Sequence, residues 1–466
     1  MKNLKLFAII GIVLLLLLSG CANMKSSKDQ FVGIDEKLQT RDYAGALAQI
    51  EAAKGNFYKE KEKALYFLDA GMLLHFNGQF EKSNEELSKA EQAIDELYTK
   101  SIGRAATSLL LNDNVLEYSG EDYEDIYLNV FKAMNYLELN KFDDAFVEVR
   151  RINDKLSVLK QKYTKMADQY NLSKDKNKEF KPGDSKFHNS ALGRYLSMLL
   201  YRAEGKLDDA RIDKEEIAKA WKLQGQIYDF AQPELDDYLT RSDKAKVNFI
   251  SFTGRGPDKK ANTLYIHTED DVIVIGTTEE NPRGKQELET LDVINWPGVK
   301  KGYHFKLQLP YLEMRKSKVG KIKILVDGKQ ETELQLIENI DKIALETYKL
   351  KEPLIYLKTI TRTVVKGLLA AKGKAKIEEE ISNPLLGFAA RLAADVAVDA
   401  TENADLRISR FFPGEALVGQ VEVPEGIHNF KIEYYSKNGT VMWVDDLGEK
   451  EVSRKGLNLF ESFYLN

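Results

Sequence analysis

The sequence is poor in the two residue types on which many enzymes and metal sites depend, cysteine and histidine. A single cysteine among 466 residues excludes an intramolecular disulfide, so stability must come from packing. No two of the five histidines lie within one helical turn of each other, and none belongs to an H-E-x-x-H pattern, so a histidine-based zinc site has no local support. Because a G-x-S-x-G elbow is also absent, we expect a protein that is not an enzyme and holds no metal or other cofactor.

Long apolar runs are equally scarce. The run Leu6–Leu18 has 13 residues, short of the ~20 that a membrane-spanning helix needs. A second apolar stretch, Leu385–Ala400, is also too short and contains Arg391, Asp395 and Asp399. We expect that stretch to be a buried or groove-lying helix and not a membrane span.

A strong basic block is the third missing feature. The whole chain carries a formal net charge of −5 and a hydrophobic content of 43%. A mildly acidic chain of this kind argues against nucleic acid as a partner and against electrostatic docking on anionic lipid. The hydrophobic content is ample for globular cores.

The one cysteine lies in an informative place. Lys2 and Lys5 precede the run Leu6–Leu18, and Leu18-Ser19-Gly20 leads directly into Cys21, which is the layout of a secretory signal. Leu-Ser-Gly-Cys resembles the lipobox of bacterial lipoproteins. The resemblance implies that residues 1–20 are a lipoprotein signal peptide and that Cys21 carries palmitate-type acyl chains. An ordinary signal peptide or a transmembrane anchor is the alternative.

The anchor has consequences for localisation. Residues 21–30 are polar and form a tether that reaches at most about 30 Å at ~3.3 Å per residue, which keeps the folded part close to the membrane. Ala22 stands where an Asp would favour inner-membrane retention in enteric bacteria. The resemblance therefore implies an outer-membrane lipid-anchored protein facing the periplasm, with the inner membrane or the cell surface as alternatives.

Residues 31–232 show apolar residues at helical spacing, and one type of turn recurs four times. Three of the four turns begin with Gly or Asn, which readily end a helix in the left-handed region. Each turn then places an apolar residue three positions before a small one, and we expect Phe142 to pack beside Ala145. The turns are Asp42-Tyr43-Ala44-Gly45-Ala46, Gly78-Gln79-Phe80-Glu81-Lys82-Ser83, Asn140-Lys141-Phe142-Asp143-Asp144-Ala145 and Gly205-Lys206-Leu207-Asp208-Asp209-Ala210.

This plan resembles the tetratricopeptide repeat (TPR), whose helix pairs carry small residues where they cross. The small residues Ala46, Ser83, Ala145 and Ala210 are 37, 62 and 65 positions apart. Only the first interval is close to the ~34-residue TPR unit, so extra helices are expected between the hairpins. We predict a TPR-like helical domain over residues 31–232, with a generic α-helical domain as the alternative.

Residues 233–466 are predicted to form a β-rich domain. Asp327-Gly328 and Asn438-Gly439 each lie between apolar alternating runs and predict hairpin turns. Alternation and β-branched content predict strands at Lys246–Phe252, Thr263–His267, Val272–Ile275 and Tyr303–Leu309.

A helical block at about residues 336–403 interrupts these strands, and its Pro353 and Pro384 suit helix starts. The fold class is therefore predicted to be α+β and multidomain, with TPR-like hairpin repeats followed by a sandwich-like β domain that contains the block.

Five short segments of the chain form a further pattern. They are Tyr118-Ser119-Gly120-Glu121-Asp122-Tyr123-Glu124, Tyr136-Leu137, Val147-Glu148-Val149-Arg150-Arg151, Ala404-Asp405-Leu406-Arg407 and Val423-Pro424-Glu425-Gly426-Ile427-His428. Together they resemble an uncharacterised family of bacterial lipoproteins with a TPR-like N-terminal half. The resemblance implies a lipid-anchored envelope protein with helices before strands, and brings no established activity. Ile408-Ser409-Arg410 departs from it, because a Trp is expected there.

Two readings of the region around Tyr136, Glu148 and Arg151 remain open. Glu148 and Arg151 are three positions apart and can pair on a helix surface, which predicts a structural ion-pair network. Arg150 points elsewhere in that reading, towards Glu121 or Glu124. Alternatively, Tyr136, Glu148 and Arg151 line a partner-binding groove.

The loop Thr253–Lys260 places glycines beside basic residues, which can cradle a phosphate. It lacks the P-loop spacing and precedes a strand instead of a helix, so a simple turn is predicted and a ligand at Gly254–Lys260 is left open. Altogether we expect a non-catalytic envelope adaptor that binds a protein or peptide partner. The alternative is a peptidoglycan-acting envelope enzyme or an activator of a cell-wall synthase.

Overall fold

The computed structural model describes residues 31–104, 112–172, 179–280, 286–372 and 403–465. Cys21, the tether and the stretch Leu385–Ala400 lie outside these residues. The fold is α+β, with helices in the first half of the chain and three mainly antiparallel sheets in the second. No helix among the described residues is long and apolar enough to cross a membrane.

The first half is built from antiparallel helix pairs. Successive helices pack on each other within each pair and the pairs stack side by side. The helices are α1 (Ile34–Gln39), α2 (Tyr43–Ala53), α3 (Lys63–Phe76), α4 (Phe80–Arg104), α5 (Asp122–Glu138), α6 (Phe142–Asn171), α7 (Ala191–Ala203) and α8 (Leu207–Leu223).

The four predicted turns are confirmed as the joints between paired helices. Gly78, Asn140 and Gly205 have positive φ angles of 69°, 56° and 75°, and each ends a helix in the left-handed region. The small residues after the turns are fully buried, as close helix packing requires: Ala46, Ser83, Ala145 and Ala210.

Two details of the helical region differ from a simple repeat. Phe142 is 39% exposed, so it is not buried in the core as Ala145 is. Over the two long intervals between small residues, the described residues add one short 3-10 helix, Asp113–Val115, and much of the spacing comes from long helices. The helices α4 and α6 have 25 and 30 residues, and a non-helical stretch at 179–190 precedes α7.

The second half contains three four-stranded sheets, in the orders β12-β1-β9-β8, β11-β10-β6-β7 and β4-β3-β2-β5. The pairing of β1 with β12 is parallel. The strands are β1 (Ala245–Thr253), β2 (Asp258–Glu269), β3 (Val272–Glu280), β4 (Gln286–Asn295), β5 (His304–Glu313), β6 (Val319–Val326), β7 (Lys329–Glu333), β8 (Gln335–Asn339), β9 (Glu415–Val423), β10 (Gly426–Ser436), β11 (Val441–Val452) and β12 (Asn458–Tyr464).

The first two sheets pack face to face as a sandwich. Val247 and Phe249 of β1 share a buried cluster with Ile324 of β6 and Phe430 of β10, and the rings of Phe249 and Phe430 are 5.7 Å apart. The predicted hairpin turns are confirmed, since Asp327-Gly328 joins β6 to β7 and Gly439 takes a φ of 85° between β10 and β11.

The predicted helical block begins too early. Residues 335–339 form strand β8 instead, because antiparallel pairing with β9 satisfies their backbone groups. The helices α9 (Ile340–Tyr348) and α10 (Glu352–Lys372) follow, with Asn339 accepting a hydrogen bond from Lys342 N as the cap of α9. Pro353 lies at the start of α10 as predicted, whereas Pro384 and residues 373–402 fall outside the described part. The buried face of α10 covers the third sheet.

The helices and the sandwich share one hydrophobic core. The ring of Phe131 on α5 lies 5.0 Å from that of Phe252 on β1 and 6.0 Å from that of Phe412. The same buried cluster extends from Phe31 to Leu465. The two halves of the chain therefore stabilise each other.

Candidate functional site

A pocket of about 240 Å³ opens where the helices meet the strands. We call it the interface pocket. Its walls combine aromatic and aliphatic side chains with a group of charged ones. The lining residues are Leu97, Tyr98, Lys100, Asp113, Leu116, Glu117, Tyr118, Ser119, Gly120, Glu121, Lys162, Tyr163, Met166, Lys259, Pro310, Lys351, Leu354, Ile355, Lys358, Asp405 and Arg407.

One wall is formed by the chain just before α5. Gly120 has a φ of 75°, and a Cβ there would lie 2.9 Å from Cδ1 of Ile94, so glycine permits both the turn and the close approach to α4. Glu121 and Glu124 then cap α5 reciprocally through their side chains and backbone amides. This local geometry fixes the position of Glu121 at the pocket.

Glu121 is the central carboxylate of the pocket and is 2% exposed. Lys259 of β2 approaches its Oε1 to 2.7 Å, and Lys351, just before α10, pairs with its Oε2. Burial alone would raise the pKa of Glu121, but the charges of Lys259 and Lys351 hold it below its usual value. The group is therefore ionised and serves as a counter-ion for two lysines.

The neighbouring Asp122 forms a second buried pair. Lys162 lies 2.7 Å from its Oδ1, and the hydroxyl of Tyr163 donates to its Oδ2 at 2.6 Å. Although burial opposes ionisation, the charges of Lys162 and Lys351 keep the pKa of Asp122 below its usual value. The pair ties the start of α5 to α6.

Arg407 closes another side of the pocket and belongs to the segment before β9. It donates to Asp405 at 2.8 Å and to the carbonyl oxygens of Leu116 and Asp113 at 3.0 and 2.7 Å. Its guanidinium also lies 5.6 Å from the ring centre of Tyr118. The structure thus brings together Tyr118–Glu124 and Ala404–Arg407, two of the segments quoted for the family resemblance.

Lys358 of α10 differs from Lys162, Lys259 and Lys351, which pair with buried carboxylates, and from Lys100, which is exposed. It makes no ion pair with an acidic residue of the described part of the chain, and burial lowers its pKa. The charge of Asp113 acts against this lowering of the pKa without overcoming it, and the charge of Arg362 lowers the pKa further. The pocket therefore contains a half-buried cation that its own carboxylates do not neutralise.

Behind the Tyr118 wall lie two carboxyls with raised pKa values. Burial, followed by the charge of Glu121, raises the pKa of Glu124 to about 7. Its oxygens accept hydrogen bonds from the Tyr118 hydroxyl at 2.6 Å and from Ser409 N at 2.6 Å. Burial likewise raises the pKa of Asp69 to about 6, and Asp69 accepts from Ser409 Oγ at 2.7 Å. Neither residue lines the pocket.

The residues predicted to bind a partner lie elsewhere, on α5 and α6. Glu148 is buried and pairs with Lys132 at 3.1 Å, whereas Arg151 is 46% exposed and pairs with Glu91 at 2.9 Å. The expected pair between Glu148 and Arg151 is therefore wrong, because both side chains find partners on neighbouring helices. Tyr136 is half-buried beside them.

Glu91 is the centre of this ion-pair network. Its oxygens lie 2.8 Å from Lys132 and 2.8 Å from Lys155. Burial would raise the pKa of Glu91, but the charges of Lys155 and Lys132 bring it down to about 2. The network joins α4, α5 and α6. Arg150 does not reach Glu121 or Glu124, since its guanidinium lies 4.8 Å from the Phe146 ring centre.

Sequence reasoning found part of the pocket and missed the rest. The connection between β1 and β2 is shorter than the predicted loop, because β2 already begins at Asp258, and Lys259 of β2 reaches Glu121. The sequence gives no sign that Lys162, Lys351 and Lys358 belong to a site, because the helical patterns around them contain many charged residues. Only the packing of helices against strands brings them together.

No protein-family model, curated protein or solved structure matches this chain. Functional conclusions for this chain therefore rest on the chemistry of the interface pocket and on the signals in the sequence.

Proposed function

We propose that this protein is a lipid-anchored adaptor of the bacterial cell envelope that binds an envelope protein or peptide and catalyses no reaction. Acyl chains on Cys21 hold it at the outer membrane, facing the periplasm. The helix pairs, which we interpret as TPR-like repeats, provide the framework. The interface pocket takes an apolar or aromatic side chain of the partner together with a nearby carboxylate.

The observation that carries this proposal is Lys358 in a tyrosine-walled pocket. Tyr98, Tyr118 and Tyr163 offer flat, rigid surfaces, which are typical of sites for peptide side chains. A half-buried ammonium group without an acidic partner is costly and favours a ligand that supplies a negative charge. A peptide with an acidic side chain or a free C-terminus beside an apolar residue supplies both features.

The other pocket charges support binding over catalysis. A general acid must hold a proton near neutral pH, but the pKa values of Glu121 and Asp405 are lowered in spite of their burial by basic neighbours. Both are engaged as counter-ions. The one observation in favour of a peptidoglycan-acting enzyme or synthase activator is Glu124, whose pKa of about 7 suits acid–base work. Glu124 lies behind Tyr118 and accepts hydrogen bonds that occupy its oxygens.

We also propose a second contact with the partner protein, at Tyr136, Glu148 and Arg151. The Arg151 side chain is 46% exposed, and arginine and tyrosine are frequent interface anchors. Glu148 is buried in the ion-pair network and holds this surface in place.

The test is affinity capture with the full chain from detergent-solubilised envelopes, followed by mass spectrometry. Lys358→Glu reverses the half-buried unpaired charge of the pocket, and Lys222→Glu makes the same change at an exposed position of α8. We expect the wild type and Lys222→Glu to capture the same protein, and Lys358→Glu to lose it without a lower melting temperature. Arg151→Ala, assayed in parallel, tests the second contact in the same way.

Equal capture by the wild type and Lys358→Glu would refute the pocket as the binding site. Release of soluble fragments from purified peptidoglycan, abolished by Glu124→Gln, would instead establish the enzyme alternative.

A further inference from the structure

Three arginines from distant parts of the chain converge on the side of the fold where α1 begins. Arg255 lies in the β1–β2 connection, Arg315 between β5 and β6, and Arg410 in the segment before β9. Arg315 Nε donates to the carbonyl of Gly256 at 2.5 Å, and its Nη2 donates to the carbonyl of Arg410 at 3.5 Å. We call these three residues the arginine cluster. None of them lines the interface pocket.

The acidic neighbours do not neutralise the cluster completely. Arg255 pairs with Asp35, and Arg315 lies 3.8 Å from Asp258. Both carboxylate side chains are substantially exposed, at 54% and 43%, so water screens their charge. Arg410 makes no ion pair with an acidic residue of the described part, and its guanidinium lies 4.5 Å from the ring centre of Phe31.

Unpaired hydrogen-bond donors accumulate at the same place. The Nε atoms of Arg255 and Arg410 and the hydroxyl of Tyr123 are buried and have no hydrogen-bond partner. Tyr123 is fully buried, and its hydroxyl would lie 3.5 Å from a Cβ placed on Gly256. The carbonyl of the same Gly256 accepts the hydrogen bond from Arg315. Buried donors without an acceptor are rare in native proteins and indicate a missing acceptor.

A fourth unpaired polar atom, Oδ1 of Asp341, belongs to the same neighbourhood. A Cβ on Gly414 would lie 3.4 Å from Oδ2 of Asp341 and 3.0 Å from the carbonyl of Arg255. Burial raises the pKa of Asp341 to about 8, so the carboxyl holds its proton at neutral pH and does not repel an anion.

The positive charges of the arginine cluster also repel each other. Burial, and then the positive charge of Arg255, lower the pKa of Arg315 to about 10. An anion between the guanidinium groups would relieve this repulsion and accept the unpaired hydrogen bonds.

We propose that Arg255, Arg315 and Arg410, together with the hydroxyl of Tyr123, form a binding site for a phosphate group. A phosphate offers three or four acceptor oxygens in a tetrahedral arrangement, which matches several donors converging from different loops better than the two oxygens of a carboxylate. The cluster lies against Phe31, which directly follows the tether. The phosphate comes from a lipid headgroup or from a soluble phosphate compound, and both present the same chemistry.

The test is isothermal titration of the detergent-solubilised full chain with inorganic phosphate, glycerol 3-phosphate and glycerophosphoglycerol, the diester of a phospholipid headgroup. We expect saturable binding of at least one compound and a loss of affinity of about tenfold or more in Arg410→Gln. Arg454→Gln is the control, because Arg454 is 57% exposed and pairs with Glu425 outside the arginine cluster. Its affinity should equal that of the wild type.

Tighter binding of the diester identifies the lipid headgroup as the source, and tighter binding of the monoester or inorganic phosphate identifies a soluble compound. Either result supports the site. Absence of saturable heat with all three compounds, or equal affinity of Arg410→Gln and the wild type, overturns it. If Arg410→Gln fails to fold, Arg410→Lys, which keeps the charge and loses the planar fork, should still bind several-fold more weakly.

Discussion

Glu121 and Lys259 form a buried ion pair with 2.7 Å between Oε1 and Nζ, although 138 positions separate them in the sequence. The pair joins the start of α5 to strand β2 and forms part of the wall of the interface pocket. Because both side chains are almost fully buried, each depends on the other for a counter-charge.

Glu121→Gln should therefore lower the free energy of unfolding by about 3 kcal/mol, since two buried ammonium groups lose their shared carboxylate. The matched control is Glu313→Gln, whose pair with Lys260 is about half exposed on both sides, so its loss should change the free energy of unfolding little. Denaturant unfolding of both variants measures the difference. Similar losses in the two variants would contradict the pocket geometry.

Ala145 lies at the crossing of α5 and α6 and is fully buried. Ala145→Leu should overpack that contact and cost about 1–3 kcal/mol of stability. Asp143→Ala, on the exposed first turn of α6, should change stability by no more than about 0.5 kcal/mol. An unchanged denaturant midpoint for Ala145→Leu would show that the helices do not cross closely at this residue.

His75 on α3 and Glu461 on β12 link the two halves through a 3.0 Å contact. Burial alone would lower the pKa of His75, but the charge of Glu461, a hydrogen bond with it and one with Asn135 raise it above its usual value, with a further contribution from Glu138. The stabilisation by protonated His75 is therefore complete below about pH 6.5, the unfolded-state pKa, and is lost as the pH rises through the higher folded-state pKa.

We expect the free energy of unfolding of the wild type to decrease over that pH window. Glu461→Gln should flatten the decrease, and Glu449→Gln, an exposed change on β11, should leave it intact. Unfolding measured between pH 6 and pH 9 checks this. A slope that persists in Glu461→Gln would assign the effect to another group.

The shared core allows a prediction about fragments. Residues 31–232 correspond to the predicted helical domain, but their buried residues pack against Phe252, Phe412 and Leu465. We expect the isolated fragment to melt without cooperativity in circular dichroism, whereas the full chain melts cooperatively, because removal of the strands exposes apolar surface. A sharp, strongly helical melt of the fragment would support residues 31–232 as an independent domain.

Lipidation of Cys21 is a direct prediction of the lipobox. Cys21→Ala should abolish incorporation of a fatty-acid probe and leave the signal sequence unprocessed. Ser19→Ala, which keeps a small residue before the cysteine, should be labelled as the wild type. Equal labelling of Cys21→Ala would reject the lipoprotein assignment.

The sequence by itself determined the local features of this protein. Gly78, Asn140 and Gly205 mark the helix turns, and Asp327-Gly328 marks a hairpin, because a left-handed backbone selects these residue types wherever it occurs. The order of helices before strands follows from the change in apolar periodicity. These signals depend on residues that are close in the chain, so they can be recognised without knowledge of the fold.

Tertiary structure alone decided which charges meet. The sequence predicts a helical block that begins at about residue 336, but Gln335–Asn339 pair with β9, and the buried Glu338 accepts a hydrogen bond from Ser190 Oγ at 2.6 Å. Glu121 meets Lys259, and Arg407 meets Tyr118, through contacts between segments far apart in the sequence. Periodicity indicates which face of an element is buried, but it does not specify the partner element. The interface pocket exists because helices and strands pack around one core, and that packing sets which lysines and carboxylates lie within reach of each other.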